Sequence, residues 1–191
     1  MTAGTLTIGV PLATDHAAAI QAIIDRLRAR TGLRGLPYPS PHLTLLVLLE
    51  APSLETVDGI IASVALRTSA FSARARGYGV FVDEHDQFVL FTPVVRGDAL
   101  TSLHRSLFEA FVARGARVDG HYRPETWLPH VTLCNRQLTP AVLGEFVTSM
   151  ATARMITWRF NIDRVARLGP GLEESEFPLA LAPGDPEDVH P

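Results

Sequence analysis

Two copies of one short pattern carry the residues best suited to chemistry. Pro41-His42-Leu43-Thr44-Leu45 is the first and Pro129-His130-Val131-Thr132-Leu133 the second. Each opens an extended run. Side chains alternate faces along a strand, so His and Thr two residues apart share one surface. Leu43 with Leu45, and Val131 with Leu133, then point the other way, into a core. Each copy thus offers an imidazole beside a hydroxyl, and two such pairs facing each other would hold an anion between two titratable groups. Imidazole changes charge near neutral pH, so one ring can take a proton while the other gives one. That suits cleavage of a phosphodiester, with Thr44 and Thr132 donating hydrogen bonds to the non-bridging oxygens. A zinc site needs at least a third protein ligand at a fitting position. His16, His85, His104 and His121 stand at no ligand spacing, so no metal is expected.

The elements that must position these residues occur twice. Thr5 to Leu12 alternates and reads as a strand. A helix follows to about Arg30, with Ala19, Ile20, Ile23, Ile24 and Leu27 at helical spacing. The stretch Gly32 to Pro41 is rich in proline and glycine and reads as a loop. The His42 strand runs to about Leu49, and Pro52-Ser53 starts a helix carrying Val57, Ile60, Ile61 and Val64. Phe71 to Val82 is one long extended segment with Arg74 and Arg76 on one face. After a turn at Asp83 to Gln87 the order repeats. A strand spans 87–95, and a helix opened by Gly97-Asp98 follows. Then come a polar loop from Gly120 to Trp127, the His130 strand, and a helix capped by Thr139 with Pro140 in its first turn. Met155 to Leu168 is a long alternating strand, and a last strand covers Glu176 to Leu181. The expected architecture is α+β: a duplicated, bilobal fold of two mainly antiparallel sheets with outer helices around a central groove. It forms a single domain over 1–182, with halves of roughly 1–82 and 87–182 and strands free to swap between lobes. Residues 183–191 read as a loose tail.

The chain has 191 residues, 47 % apolar and 19 % charged, enough for one good-sized core. A formal net charge of −3 and a pI of about 6.1 offer no whole-chain basic balance for long nucleic acid, while a small phosphorylated ligand needs only a local positive pocket. Cys134 is the single cysteine, which excludes an internal disulfide. No stretch nears the roughly 18 unbroken apolar residues of a membrane span, and nothing resembles a signal peptide. A cytoplasmic monomer is the expectation.

Four further residues are candidates for holding substrate. Arg136 shares a face with His130 and Thr132 if that strand runs straight, which would set a guanidinium near a phosphate; an arginine in solvent at a strand end fits equally well. Arg123, in the loop before the second motif, either reaches over the groove or stays on the surface. Tyr38 and Trp127 precede the two motifs, and either ring could stack on a base; Trp127 fits a hydrophobic plug as well. Tyr78 and Phe81 read as core.

The paired His-x-Thr motifs, their separation and the matching element order resemble the two-histidine phosphoesterase superfamily over residues 5 to 181. The nearest likeness is to the bacterial and archaeal RNA 2′,3′-cyclic phosphodiesterases, historically called 2′-5′ RNA ligases. The resemblance implies a metal-independent phosphoesterase that opens 2′,3′-cyclic phosphates of RNA ends or nucleotides, without cofactor. It implies His42 as proton donor, His130 as proton acceptor, and Thr44 and Thr132 beside them. Activity as a 2′-5′ phosphodiesterase or ligase belongs to the same class. A non-catalytic binder of nucleotides or RNA ends is the alternative from another class.

Overall fold

Alternation and capping place most elements as the sequence predicts, and the long-range pairings join them. The computed structural model describes residues 5–31, 41–82, 88–151, 157–169 and 175–181. The loop expected after Gly32, the turn at Asp83 to Gln87 and the tail lie outside the described residues. The first half runs β1 (Leu6–Pro11), α1 (Thr14–Thr31), β2 (His42–Glu50), α2 (Leu54–Ala65), β3 (Phe71–Arg76) and β4 (Gly79–Val82). The second runs β5 (Phe88–Pro93), α3 (Asp98–Val112), a short β6 (Arg117–Val118), a 3-10 turn (Gly120–Tyr122), β7 (His130–Leu138), α4 (Pro140–Ala151), β8 (Thr157–Ile162), β9 (Arg164–Leu168) and β10 (Ser175–Pro178).

Local chemistry sets the helix starts. Ser53 Oγ accepts from the Thr56 amide at 3.3 Å, and Thr139 Oγ1 accepts from the Val142 amide at 3.3 Å. Each satisfies an amide that a first turn otherwise leaves open. Two long segments are broken where the sequence suggests continuity. The run from Phe71 divides at Gly77, whose φ of 78° is open to glycine at little cost. Buried Thr92 donates its hydroxyl to the Gly77 carbonyl at 2.9 Å and fixes that kink. The run ending at Leu168 divides at Asp163, whose carbonyl accepts from the Leu179 amide at 2.7 Å.

The large sheet has eight strands in the order β10-β9-β1-β2-β7-β5-β4, with β6 on β2; β3 and β8 form a two-stranded sheet. The pairings are reciprocal between the halves. β4 of the first half pairs with β5 of the second, and β9 of the second pairs with β1 of the first. Equivalent strands pair with each other, β2 with β7 and β3 with β8. The helices follow suit: α1 packs on β7, and α3 on β2. This is the pattern a two-fold relation between duplicated halves produces, and it makes the molecule an α+β fold of open antiparallel sheets, with four α-helices among the described residues.

Candidate active site

The site lies where β2 meets β7. The one paired position between them is Leu43 with Val131, antiparallel. Both side chains are fully buried in the core, as are Leu45 and Leu133. Turning either strand over would expose such residues at about 1.5–3 kcal/mol each, so the core decides which face His42, Thr44, His130 and Thr132 occupy. All four are half-buried on the opposite face. Antiparallel order about Leu43 and Val131 sets His42 across from Thr132 and Thr44 across from His130. The diagonal neighbours His42 and His130 then stand about 7–8 Å apart at the backbone. Each strand thus brings one imidazole and one hydroxyl to the same face.

The His130 ring is held in one tautomer. Its Nδ1 lies 2.7 Å from the Leu128 carbonyl; a carbonyl only accepts, so Nδ1 carries the proton and Nε2 presents a lone pair when the ring is neutral. Burial lowers its pKa, and nearby His42 lowers it further, against the raising effect of the Leu128 carbonyl. Two aromatic rings stand beside it. Phe81 meets His130 edge-on at 5.0 Å, and Phe91 lies at 5.1 Å. These two stack on each other at 4.0 Å. Phe91 passes directly over Gly79, where a Cβ would collide with the ring. Phe81 therefore departs from the core reading: it is half-buried and stands against His130, whereas Tyr78, also half-buried, packs onto the core, edge-on against buried Phe146 at 5.2 Å.

Beside His42 stands Gly9, paired with Thr44 across β1 and β2. A Cβ on Gly9 would lie 2.8 Å from the Leu43 carbonyl oxygen, 3.1 Å from Leu168 Cδ1 and 3.5 Å from His42 Cδ2. The missing side chain thus gives the first motif its room. A glycine within a strand pattern signals such a close approach, and this is the signal that singles out Gly9.

The candidate substrate residues fare differently. Trp127 is only 3 % exposed, so it does not offer a face to a base, and the plug reading is the correct one. Its indole stacks on buried His104, with centroids 3.9 Å apart and planes 5° from parallel, and its Nε1–H donates to the Thr44 carbonyl at 3.2 Å. Trp127 thereby ties the approach to the second motif to the backbone of the first. Arg96 braces the same loop, donating to the carbonyls of Trp127 at 3.2 Å and Pro124 at 2.6 Å. Neither Arg96 nor His104 carries a motif that sequence reasoning could have found. His104 donates from Nε2 to the Tyr122 carbonyl at 3.1 Å, and burial pulls its pKa down to about 4.

The straight-strand premise for Arg136 fails. The register of β5 on β7 shifts between Thr132, opposite Phe91, and Cys134, opposite Leu90. Cys134 is consequently turned into the core with Leu90. The side chain of Arg136, like the whole of Tyr38, lies outside the described residues. Arg123 is exposed, and its carbonyl accepts from the amides of Thr126 and Trp127. Among the described residues no group of three or more His, Cys, Asp or Glu could hold a metal ion, and no helix is long and apolar enough to cross a membrane.

Known proteins share this fold. No curated protein sequence matches the chain. Solved structures do. A Thermus thermophilus protein, TT0787, superposes with a TM-score of 0.66 at 20 % identity, over 93 % of this chain and 98 % of its own. E. coli LigT complexed with 3′-AMP gives 0.57 at 17 % identity, over 94 % and 96 %. Kluyveromyces marxianus Usb1 gives 0.52 at 13 % identity, over 92 % and 98 %. At these identities the likeness is one of fold. A family model described as the 2′-5′ RNA ligase superfamily matches residues 15–169. Most of the chain is covered by that match, and the chain belongs to the 2′-5′ RNA ligase superfamily, a family of two-histidine phosphoesterases and ligases.

Proposed function

We propose that the protein is a metal-independent phosphoesterase that opens a 2′,3′-cyclic phosphate on an RNA end or nucleotide to a monoester. The observation that supports this reading is the antiparallel pairing of Leu43 with Val131, each flanked on its strand by the His and Thr of its motif, an order suited to holding an anion between two imidazoles. Neutral His130 accepts at Nε2 a proton from the water that attacks phosphorus, as its Nδ1–H to Leu128 and its lowered pKa favour. As the new P–O bond forms, the bond from phosphorus to one ribose oxygen breaks, and protonated His42 donates to that oxygen. Thr44 and Thr132 donate to the non-bridging oxygens, where charge must be held. Solved complexes of E. coli LigT with 3′-AMP and with ATP are of proteins sharing this fold, and they support a nucleotide in the groove.

The test is turnover of a nucleoside 2′,3′-cyclic phosphate followed by ³¹P NMR, without and with EDTA. His42→Ala and His130→Ala should each slow it by about 10²–10⁴-fold with circular dichroism unchanged. Full activity in either variant, or loss on adding EDTA, overturns the mechanism. In the wild type, kcat/KM should rise with pH through a midpoint below the usual 6.5 of histidine, because the base must be unprotonated and its pKa is lowered.

A further inference from the structure

The small sheet carries a like-charge pair that the fold does not need. Arg74 on β3 stands directly across from Arg159 on β8, and Arg76, two residues on, stands across from Thr157. All four side chains are exposed. Like charges opposite each other in an antiparallel pair are destabilising, and among the described residues no carboxylate pairs with any of the three arginines. The platform beneath them is firmly held. Ser72 donates to Asn161 at 2.9 Å in the next row, and His16 Nε2 donates to the Arg159 carbonyl at 2.9 Å.

Pairing shows where this face points. Ala75 bridges Val94, and both are buried. Their neighbours therefore turn to the opposite side: Arg76 beside Pro93, and Arg74 beside Val95, whose amide donates to the Arg74 carbonyl at 2.7 Å. Pro93 is in turn paired with His130. His130, Pro93, Arg76 and Thr157 thus form one row across four strands, on one face. Arg76 lies two strand spacings, about 10 Å, from the His130 strand, and β8 one spacing further. Val95, 54 % exposed, adds an apolar patch in the row of Arg74 and Arg159.

We infer that this arginine face binds the backbone phosphates of single-stranded RNA whose 3′ end occupies the site between His42 and His130. The inference rests on the proposed function for the chemistry at that end and deepens it: the substrate is an oligonucleotide rather than a free nucleotide. Charge complementarity selects the occupant. In a chain of net charge −3 whose cations are arginines throughout, three of them share the catalytic face. Arginine's planar fork matches phosphate oxygens two at a time. The apolar patch suits a base or ribose laid between the phosphates.

The test is binding, independent of turnover. A fluorescein-labelled oligoribonucleotide ending in a 3′-phosphate is titrated by anisotropy into wild type and into the triple variant Arg74→Gln, Arg76→Gln, Arg159→Gln, across a range of salt. Three lost phosphate contacts should flatten the slope of log affinity against log salt by about 2, roughly 0.7 per phosphate on a single strand. The preference for the oligonucleotide over a nucleoside 3′-monophosphate should collapse with it. Melting temperature should hold or rise, since a repulsion is removed; if the triple variant fails to fold, Arg76→Gln alone should flatten the slope by about 0.7. Identical salt slopes in variant and wild type, or a wild type that binds the oligonucleotide no better than the monophosphate, overturn the inference. A wild type that binds in this arginine-dependent way yet opens no cyclic phosphate overturns the proposed chemistry and leaves the RNA face standing.

Discussion

Under the proposed mechanism His130 takes up a proton, a role best served by a neutral ring, and each contact around it bears on that. The Leu128 carbonyl fixes the proton on Nδ1, while the stacked Phe81 and Phe91 keep water from one side of the ring. Hydrogen bonding to Leu128 stabilises the cation, but burial and the neighbouring His42 outweigh it. Trp127 acts at the same scale without facing the gap. Its N–H is the direct link from the loop before His130 to the strand of Thr44. Trp127→Phe keeps most of the buried ring and leaves the Thr44 carbonyl short of a donor. It should cost about 1–3 kcal/mol in urea unfolding, and kcat should fall several-fold with KM less affected, since the loop before the second motif loses its hydrogen bond to the first. Unchanged kcat would show that the link does not set the geometry. His42, Thr44, His130 and Thr132 were legible in the sequence because the spacing of two places His and Thr on one face of any strand. Trp127 was not resolved between plug and platform, because burial depends on what the chain brings over it, and that is His104 on a distant helix.

At the scale of elements, strand pairing decides what alternation cannot. β1 approaches β2 so closely that position 9 admits only glycine. Gly9→Ala should destabilise the fold by about 1–3 kcal/mol through overpacking, as its Cβ meets the Leu43 carbonyl at 2.8 Å. It should also reduce turnover, because the displaced Leu43 carbonyl lies between His42 and Thr44 in the first motif. Urea midpoints together with kcat check both, and a variant of wild-type stability would show that β1 gives way freely. The helix starts at Ser53 and Thr139 were legible from single residues, since a cap is a local hydrogen bond. The breaks at Gly77 and Asp163 were not. The Gly77 kink is held by Thr92 and the Asp163 break by Leu179, residues distant in sequence. The register shift past Thr132 removed the premise for Arg136 for the same reason: a bulge is a property of two strands together.

For the whole molecule, the pairing of β4 with β5 and of β9 with β1 makes one core common to both halves of the chain. His104, fully buried in that shared core, couples its integrity to pH. Its pKa is about 4 in the folded state against an ordinary 6.5. The unfolded chain takes up a proton below about 6.5 that the folded chain refuses until about 4. Stability from this group is therefore complete above pH 6.5 and is lost progressively as pH falls toward 4, by roughly 3 kcal/mol in all. Urea unfolding at intervals from pH 7 to 4 should show this slope, and His104→Gln should remove much of it. An unaltered slope in the variant would assign the acid sensitivity to other groups.

The amino-acid order by itself determined the α+β class, the duplicated order of elements, the helix caps and the face of each strand that carries His and Thr. Those follow from periods of two and 3.6 residues and from single-residue capping, which act within a few positions of the chain. Only the tertiary structure decided that β2 lies against β7, that Trp127 is covered, that Phe81 stands against His130 and that Arg74 lies across from Arg159. Each of these depends on which strand lies beside which and in what register. Pairing energy is collected between residues far apart in sequence, and a single bulge turns the following side chains to the other face.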